Sequence, residues 1–202
     1  MQTQLSAKQP SRFVVEDDYE YILVVQPSDD VCTQVADEVE RFYNTYQHKA
    51  ALQLQPHIKL MRFFAKQDME DTIIRYTHRI TSTRQSFTVM LNNYSATPGT
   101  AIFIRVQQHG PFKQLADAFR AVDEYIQGSG YPAATRADKP HINIAKKLQQ
   151  RIFNEAIFDY SQRIFNASFV VRELVLLKRR NHFEPFKMVN VFRLQDNEGA
   201  RA

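Results

Sequence analysis

Residues 19–25 read Tyr-Glu-Tyr-Ile-Leu-Val-Val, a nearly unbroken apolar run of aromatic and β-branched residues that predicts a buried strand. Pro27-Ser28-Asp29-Asp30 breaks it and supplies helix-capping residues. Val31, Val35, Val39, Phe42 and Tyr46 then recur at helical spacing. Alternation returns over residues 57–64 and predicts the next strand. Met69, Ile73, Thr77 and Ile80 place a second helix over about 68–83. Residues 87–92 and 100–107 read as two strands joined as a hairpin by the turn residues 93–99. His109-Gly110-Pro111 opens a third helix with Phe112, Leu115, Phe119, Val122 and Ile126 on its inner face, and residues 128–132 end it. Phe153, Ala156, Ile157, Tyr160 and Ile164 mark a fourth helix. Strands over about 168–179 and 186–194 follow, and the polar tail from Gln195 is expected to fray.

The predicted order divides into β-α-β-α-β and β-α-β-α-β-β. We read an α+β protein with two pseudo-symmetric lobes, each a small antiparallel sheet backed by helices. Residues 1–12 are expected as a disordered polar arm, 13–195 as a single bilobal domain, and 196–202 as a tail. With only five glycines and no Gly-x-Gly-x-x-Gly or P-loop phrase, a dinucleotide-binding sheet is not indicated.

Composition narrows the class. The 44% hydrophobic and 24% charged residues suit a water-soluble globular protein, and no run approaches the roughly 20 apolar residues of a membrane span. The start of the chain lacks a secretory apolar stretch, so a cytoplasmic protein without membrane contact is expected. A single cysteine, Cys32, allows no internal disulfide and no cysteine-rich metal site. Net charge is +4 and the isoelectric point about 9.2. Two basic runs, Lys146-Lys147 with Arg151 and Lys178-Arg179-Arg180, fit a phosphate-bearing ligand as well as a solvated surface.

One phrase occurs twice. Pro56-His57-Ile58-Lys59-Leu60 returns as Pro140-His141-Ile142-Asn143-Ile144, once in each half. A proline at a strand start costs no ladder hydrogen bond. Alternation then puts His57 with Lys59, and His141 with Asn143, on one face, while Ile58, Leu60, Ile142 and Ile144 face a core. Taken singly, a histidine near a strand start is more often structural than catalytic. Recurrence of the proline, the histidine, the apolar spacing and the topological place argues for function. If the two strands meet in a central groove, two imidazoles that titrate near neutrality can serve as acid and base in phosphodiester cleavage. Lys59 and Asn143 would then donate to the non-bridging oxygens. No third metal ligand stands at characteristic spacing, and neither a metal nor another cofactor is called for.

At these residues the chain resembles the two-histidine (2H) phosphoesterases, which include the LigT-like 2′-5′ RNA ligases and cyclic phosphodiesterases. Their signature is a pair of His-x-Thr/Ser-x motifs, one in each half of a bilobal α+β fold. Here His57-Ile58-Lys59-Leu60 and His141-Ile142-Asn143-Ile144 stand in those places, and Ala145-Lys146 continues the second with a small and then a basic residue, as in the family. The resemblance covers residues 19–194. It implies that His57 and His141 are the acid and base, in an order it leaves open. It also implies RNA ends or a small phosphoester or nucleotide as ligand. Both hydroxyl positions are substituted: Lys59 and Asn143 replace Thr or Ser, and the Lys59 charge beside His57 disfavours the imidazolium.

Further candidates surround these. Lys146 and Arg105 are outer phosphate contacts. Phe103, which shares a strand face with Arg105, is a base-stacking candidate together with Phe63, Tyr94 and Tyr131, while with 15 phenylalanines in the chain core packing is the better reading for most of them. His109 and His182 are loop histidines that could reach a ligand, and His48 and His78 are read as surface residues. The expectation is a monomeric, metal-independent phosphoesterase of 2′,3′-cyclic phosphates or 2′-5′ linkages. The alternatives are a module of the same fold that binds a phosphorylated ligand or RNA without turning it over, and an interaction protein with incidental histidines.

Overall fold

The computed structural model describes residues 18–197. The arm expected over residues 1–12 and most of the tail lie outside the described residues. The elements are β1 (Asp18–Val25), α1 (Asp29–Tyr46), a 3-10 turn (Lys49–Gln53), β2 (Ile58–Lys66), α2 (Glu70–Thr81), β3 (Phe87–Thr97), β4 (Ala101–Val106), α3 (Gly110–Ala118) and α4 (Arg120–Gly128). They continue with β5 (Thr135–Arg136), β6 (His141–Lys146), α5 (Gln150–Ser161), β7 (Asn166–Val171), β8 (Glu173–Arg179) and β9 (Lys187–Arg193). None of the described helices is long and apolar enough to cross a membrane.

The strands pair antiparallel in the order β7-β3-β4-β6-β2-β1-β8-β9, with short β5 on β2. Read from the middle outward, the order is β6-β4-β3-β7 on one side and β2-β1-β8-β9 on the other. The two histidine strands are therefore the innermost pair, joined at Ile58↔Ile142. Helices α1 and α5 lie over the first group, while α2 and α3 lie over the second. Their apolar stripes and the inward strand residues form the main core, with Tyr21, Phe42, Ile58, Ile104, Phe119 and Ile142 among the residues sealed from water. A smaller cluster of Ile22, Val24 and Val175 sits on the opposite face of β1 and β8.

The halves of the sheet are not the halves of the chain. The expected strand over 168–179 is two strands broken at Arg172. β7 pairs with β3 at one edge, and β8 pairs with β1 in the other group. The hairpin β8-β9 thus crosses to complete the half begun by β1 and β2. The expected third helix is also two, because the chain turns at Phe119, whose backbone leaves the helical region. The hairpin turn is tighter than residues 93–99, since β3 runs on to Thr97 and Gly99 takes the left-handed φ of +70° that its turn requires. Gln195 is not frayed. Its N–H donates to Arg84 O (2.8 Å) and its amide to Ser82 O (2.7 Å).

Candidate active site

Both histidine strands carry the same irregularity. β2 pairs Leu23 with Met61 and Val24 with Lys59, so Leu60 is left over. β6 pairs Ile102 with Ala145 and Phe103 with Asn143, so Ile144 is left over. Each bulge falls three residues after its histidine. A bulge adds one residue and reverses the alternation beyond it. Two successive residues therefore face the core, Leu60 with Met61 and Ile144 with Ala145, all at most 1% exposed. The next residue returns to the histidine face: Arg62 in one strand and Lys146 in the other. The helix-free face at the centre of the sheet thus presents His57, Lys59 and Arg62 from β2 and its lead-in, and His141, Asn143 and Lys146 from β6.

The histidines are held alike. His57 Nδ1 bonds the carbonyl of Gln55 (2.8 Å), and His141 Nδ1 bonds the carbonyl of Lys139 (2.7 Å). A carbonyl only accepts, so each Nδ1 carries a hydrogen and Nε2 is the nitrogen that can take up a proton; the Asn143 side chain also hydrogen-bonds the His141 ring. The strands run antiparallel through Ile58↔Ile142, so Lys59 lies on the His141 side of that pair and Asn143 on the His57 side. Both imidazoles are half-buried, and burial is the main force that lowers their pKa below the ordinary value near 6.5. The carbonyl bonds oppose this, and the charges of Lys146 and Lys59 reinforce it for both rings. Burial also lowers the Lys146 and Lys59 ammonium groups, with Lys59 acting on Lys146 and Arg62 on Lys59. Among the described residues neither lysine has a carboxylate within ion-pair distance, whereas Arg62 Nε donates to Glu20 Oε1 (2.5 Å). The result is a small positive site in which the neutral form of both imidazoles is favoured.

A cavity of about 680 Å³ opens beside His141, between β4, the β3-β4 turn and the lead-in to β6. Asn92, Thr97, Phe103, Arg105 and His109 line it together with His141. Phe103 packs on the His141 ring with centroids 4.4 Å apart. Arg105 stands across the ladder from His141 and is fixed by Asn92, through Nε to the backbone carbonyl (3.1 Å) and Nη2 to Oδ1 (3.2 Å).

Three aromatic expectations are corrected. Tyr94 pairs with core-facing Ile104 and packs edge-on against Tyr160 and Phe165, so it lies on the helix-covered face. Tyr131 packs on the main core and donates its hydroxyl to Asp18 Oδ1 (2.5 Å). Phe63 is 3% exposed and stacks on Tyr21 at 5.2 Å, because the Leu60 bulge turns it inward. His48 is not a plain surface residue, since its Nε2 bonds the Lys146 carbonyl (2.9 Å) and braces the end of β6. His78 packs edge-on against Phe192, and His182 stacks on exposed Phe183. Arg62 escapes the sequence reading, because strict alternation from His57 assigns it to the core. The signal that could have found it is the matching basic residue five places after each histidine. Among the described residues no group of three His, Cys, Asp or Glu side chains could hold a metal ion.

Comparison with known proteins agrees with this geometry. Residues 27–183 match the family model of the 2′-5′ RNA ligase superfamily. Escherichia coli LigT, solved in complex with 3′-AMP, superposes with a TM-score of 0.59 at 14% identity, covering 88% of this chain and 99% of that one. TT0787 of Thermus thermophilus gives 0.60 at 19% identity, over 89% and 100% of the two chains. A protein solved as a phosphoesterase gives 0.60 at 15% identity, over 89% and 99%. No curated protein matches the chain. At these identities the likeness to solved structures is one of fold, and the family model adds the membership: the chain belongs to the 2′-5′ RNA ligase superfamily.

Proposed function

We propose that this protein is a metal-independent phosphoesterase acting on RNA ends or small nucleotides, at a 2′,3′-cyclic phosphate or a 2′-5′ linkage. Membership of the superfamily supports a phosphoesterase-type function. The observation that carries the finer reading is the matched pair of histidines, each with Nδ1 tied to the carbonyl two residues back and Nε2 left for the shared face. E. coli LigT has been solved with 3′-AMP, ATP, NADP+ and phosphate, which supports a small phosphate-bearing ligand here.

In this reading the anionic phosphate lodges against Asn143 and Lys146, and its charge raises both imidazoles toward protonation. One imidazole gains the proton and becomes the acid. The neutral one takes a proton from water through Nε2 as the water oxygen bonds to phosphorus. The phosphorus–oxygen bond to the ribose breaks, and the acid protonates the departing alkoxide. Each proton transfer is worth about 10²–10⁴ in rate. Asn143 and Lys146 stabilise the charge on the non-bridging oxygens.

The test is hydrolysis of nucleoside 2′,3′-cyclic phosphates across pH 5–9 in EDTA, comparing wild type with His57→Ala and His141→Ala. A metal-independent rate lost in both variants supports the proposal. A wild-type rate that survives either replacement overturns it. A second reading, a module that binds phosphate compounds without turnover, is favoured by one feature: Lys59 and Asn143 stand where the family carries hydroxyls. It predicts affinity without turnover, and activity gained in the double variant Lys59→Thr/Asn143→Thr.

A further inference from the structure

The chain differs most from its family's motif at Lys59, and the structure gives that difference a use. Lys59 and Asn143 hold the same place in their strands, two residues after a histidine. Their reach differs. The Asn143 amide ends close to the sheet, whereas the Lys59 ammonium rides on a four-carbon stem. Lys59 is also the exposed member of the group, while His57, His141, Asn143 and Lys146 are half-buried. Lys146 thus lies within the site and Lys59 stands at its rim.

Charge balance makes the rim position matter. A phosphodiester carries one negative charge. Lys146 alone can neutralise it, with the Asn143 amide and a protonated imidazole alongside. Among the described residues no carboxylate lies within ion-pair distance of Lys59; the charge of Glu20 favours its ammonium, but Glu20 is already shared between Arg62 Nε (2.5 Å) and Arg179 Nε (2.6 Å). A ligand with a single anionic group would leave the Lys59 charge facing Lys146 and both imidazoles, the repulsion that already depresses all three. A second anionic group at the rim would relieve it. The β2 side, where Lys59 lies, is also the side away from the cavity beside His141. A nucleoside in that cavity and a second phosphate at Lys59 would occupy opposite flanks of the reacting group.

We infer that the site selects ligands carrying two phosphate groups, the reacting one between His57 and His141 and the second at Lys59. This rests on the reading of the cleft as a phosphoester site.

The experiment is calorimetric titration of the full chain with adenosine 3′,5′-bisphosphate, 3′-AMP and 5′-AMP, in wild type, Lys59→Met and, as a control on the distant β9, Lys187→Met. The expected result is a bisphosphate affinity at least tenfold above either monophosphate in wild type and Lys187→Met, falling to about twofold in Lys59→Met. The wild-type preference for the bisphosphate should shrink as salt is raised, because the added contact is between charges. Equal affinities, or a preference that persists in Lys59→Met, overturns the inference while leaving the phosphoester reading intact. Failure of all three nucleotides to bind overturns both. Lys59→Gln, which keeps a long polar side chain without the charge, reads the same preference if Lys59→Met does not fold.

Discussion

Arg62 and Lys146 occupy equivalent places, each five residues after a histidine and two beyond a bulge, and both therefore stand on the histidine face. Their surroundings differ. Arg62 is bound to Glu20, while Lys146 has no carboxylate partner among the described residues. The two equivalent places thus hold one cation tied to a carboxylate and one without a carboxylate partner among the described residues.

Replacing either histidine by alanine should lower turnover of a 2′,3′-cyclic nucleotide by about 10²–10⁴. The double variant should lose little more than the worse single one, because acid and base act as a unit. Steady-state kinetics in EDTA checks this, and additive losses would count against a shared mechanism.

Removing a site charge should move both imidazoles. Burial is the larger cause of their lowered pKa, followed among the charges by Lys146 and then Lys59. Lys146→Met removes a positive neighbour, so the imidazolium is favoured and both histidines should titrate at higher pH. Saturating phosphate should act in the same direction. NMR titration of the ring protons between pH 5 and 8 reads both effects, and unchanged or lower values in Lys146→Met would contradict the arrangement.

Glu20 is 7% exposed and joins β2 to β8 through Arg62 and Arg179. Burial alone would raise its carboxyl pKa, but the bonds from Arg179 and Arg62 outweigh it and hold it below the ordinary 4.5. Its contribution is therefore present above about pH 4.5 and lost as pH falls through the lower folded value. Glu20→Gln should destabilise by about 1–3 kcal/mol at pH 7, since charge-assisted bonds are weakened and two arginines are partly stranded. Urea unfolding at pH 7 and pH 3 should show the gap between wild type and variant shrinking at the lower pH.

Phe103→Ala should weaken nucleotide binding by about 1–3 kcal/mol, the worth of one stacked base, and leave inorganic phosphate almost unaffected. Tyr94→Phe should change neither, because Tyr94 lies on the helix-covered face. Equal effects of Phe103→Ala on nucleotide and phosphate would place the base elsewhere.

The paired histidine units, the element order as far as α3 and the shared face of Phe103 and Arg105 can all be read from residue periodicity. What escapes it is set by tertiary contacts. Alternation cannot reveal that Leu60 and Ile144 are surplus in their ladders, so it puts Met61 and Phe63 on the wrong face and hides Arg62. Nor does a β-rich run such as residues 166–179 show that Arg172 divides it between two groups of strands. Both halves of that run are apolar and β-branched, and only their partners distinguish them. Phe119 gives no local warning that the helix turns there, because its own spacing fits an unbroken stripe.

The division at Arg172 also has a consequence for how the chain is made. β1 and β2 emerge early in synthesis, yet β8, which covers the free edge of β1, begins only at Glu173. Until β8 is available, β1 presents an unpaired edge, a state prone to wrong pairing. Closure of that edge is a long-range event of the kind that slows folding. A fragment cut after β7 would expose the same edge permanently. The neighbour of the first histidine strand is thus closed on its outer edge only by the β8-β9 hairpin, more than 100 residues further along the chain.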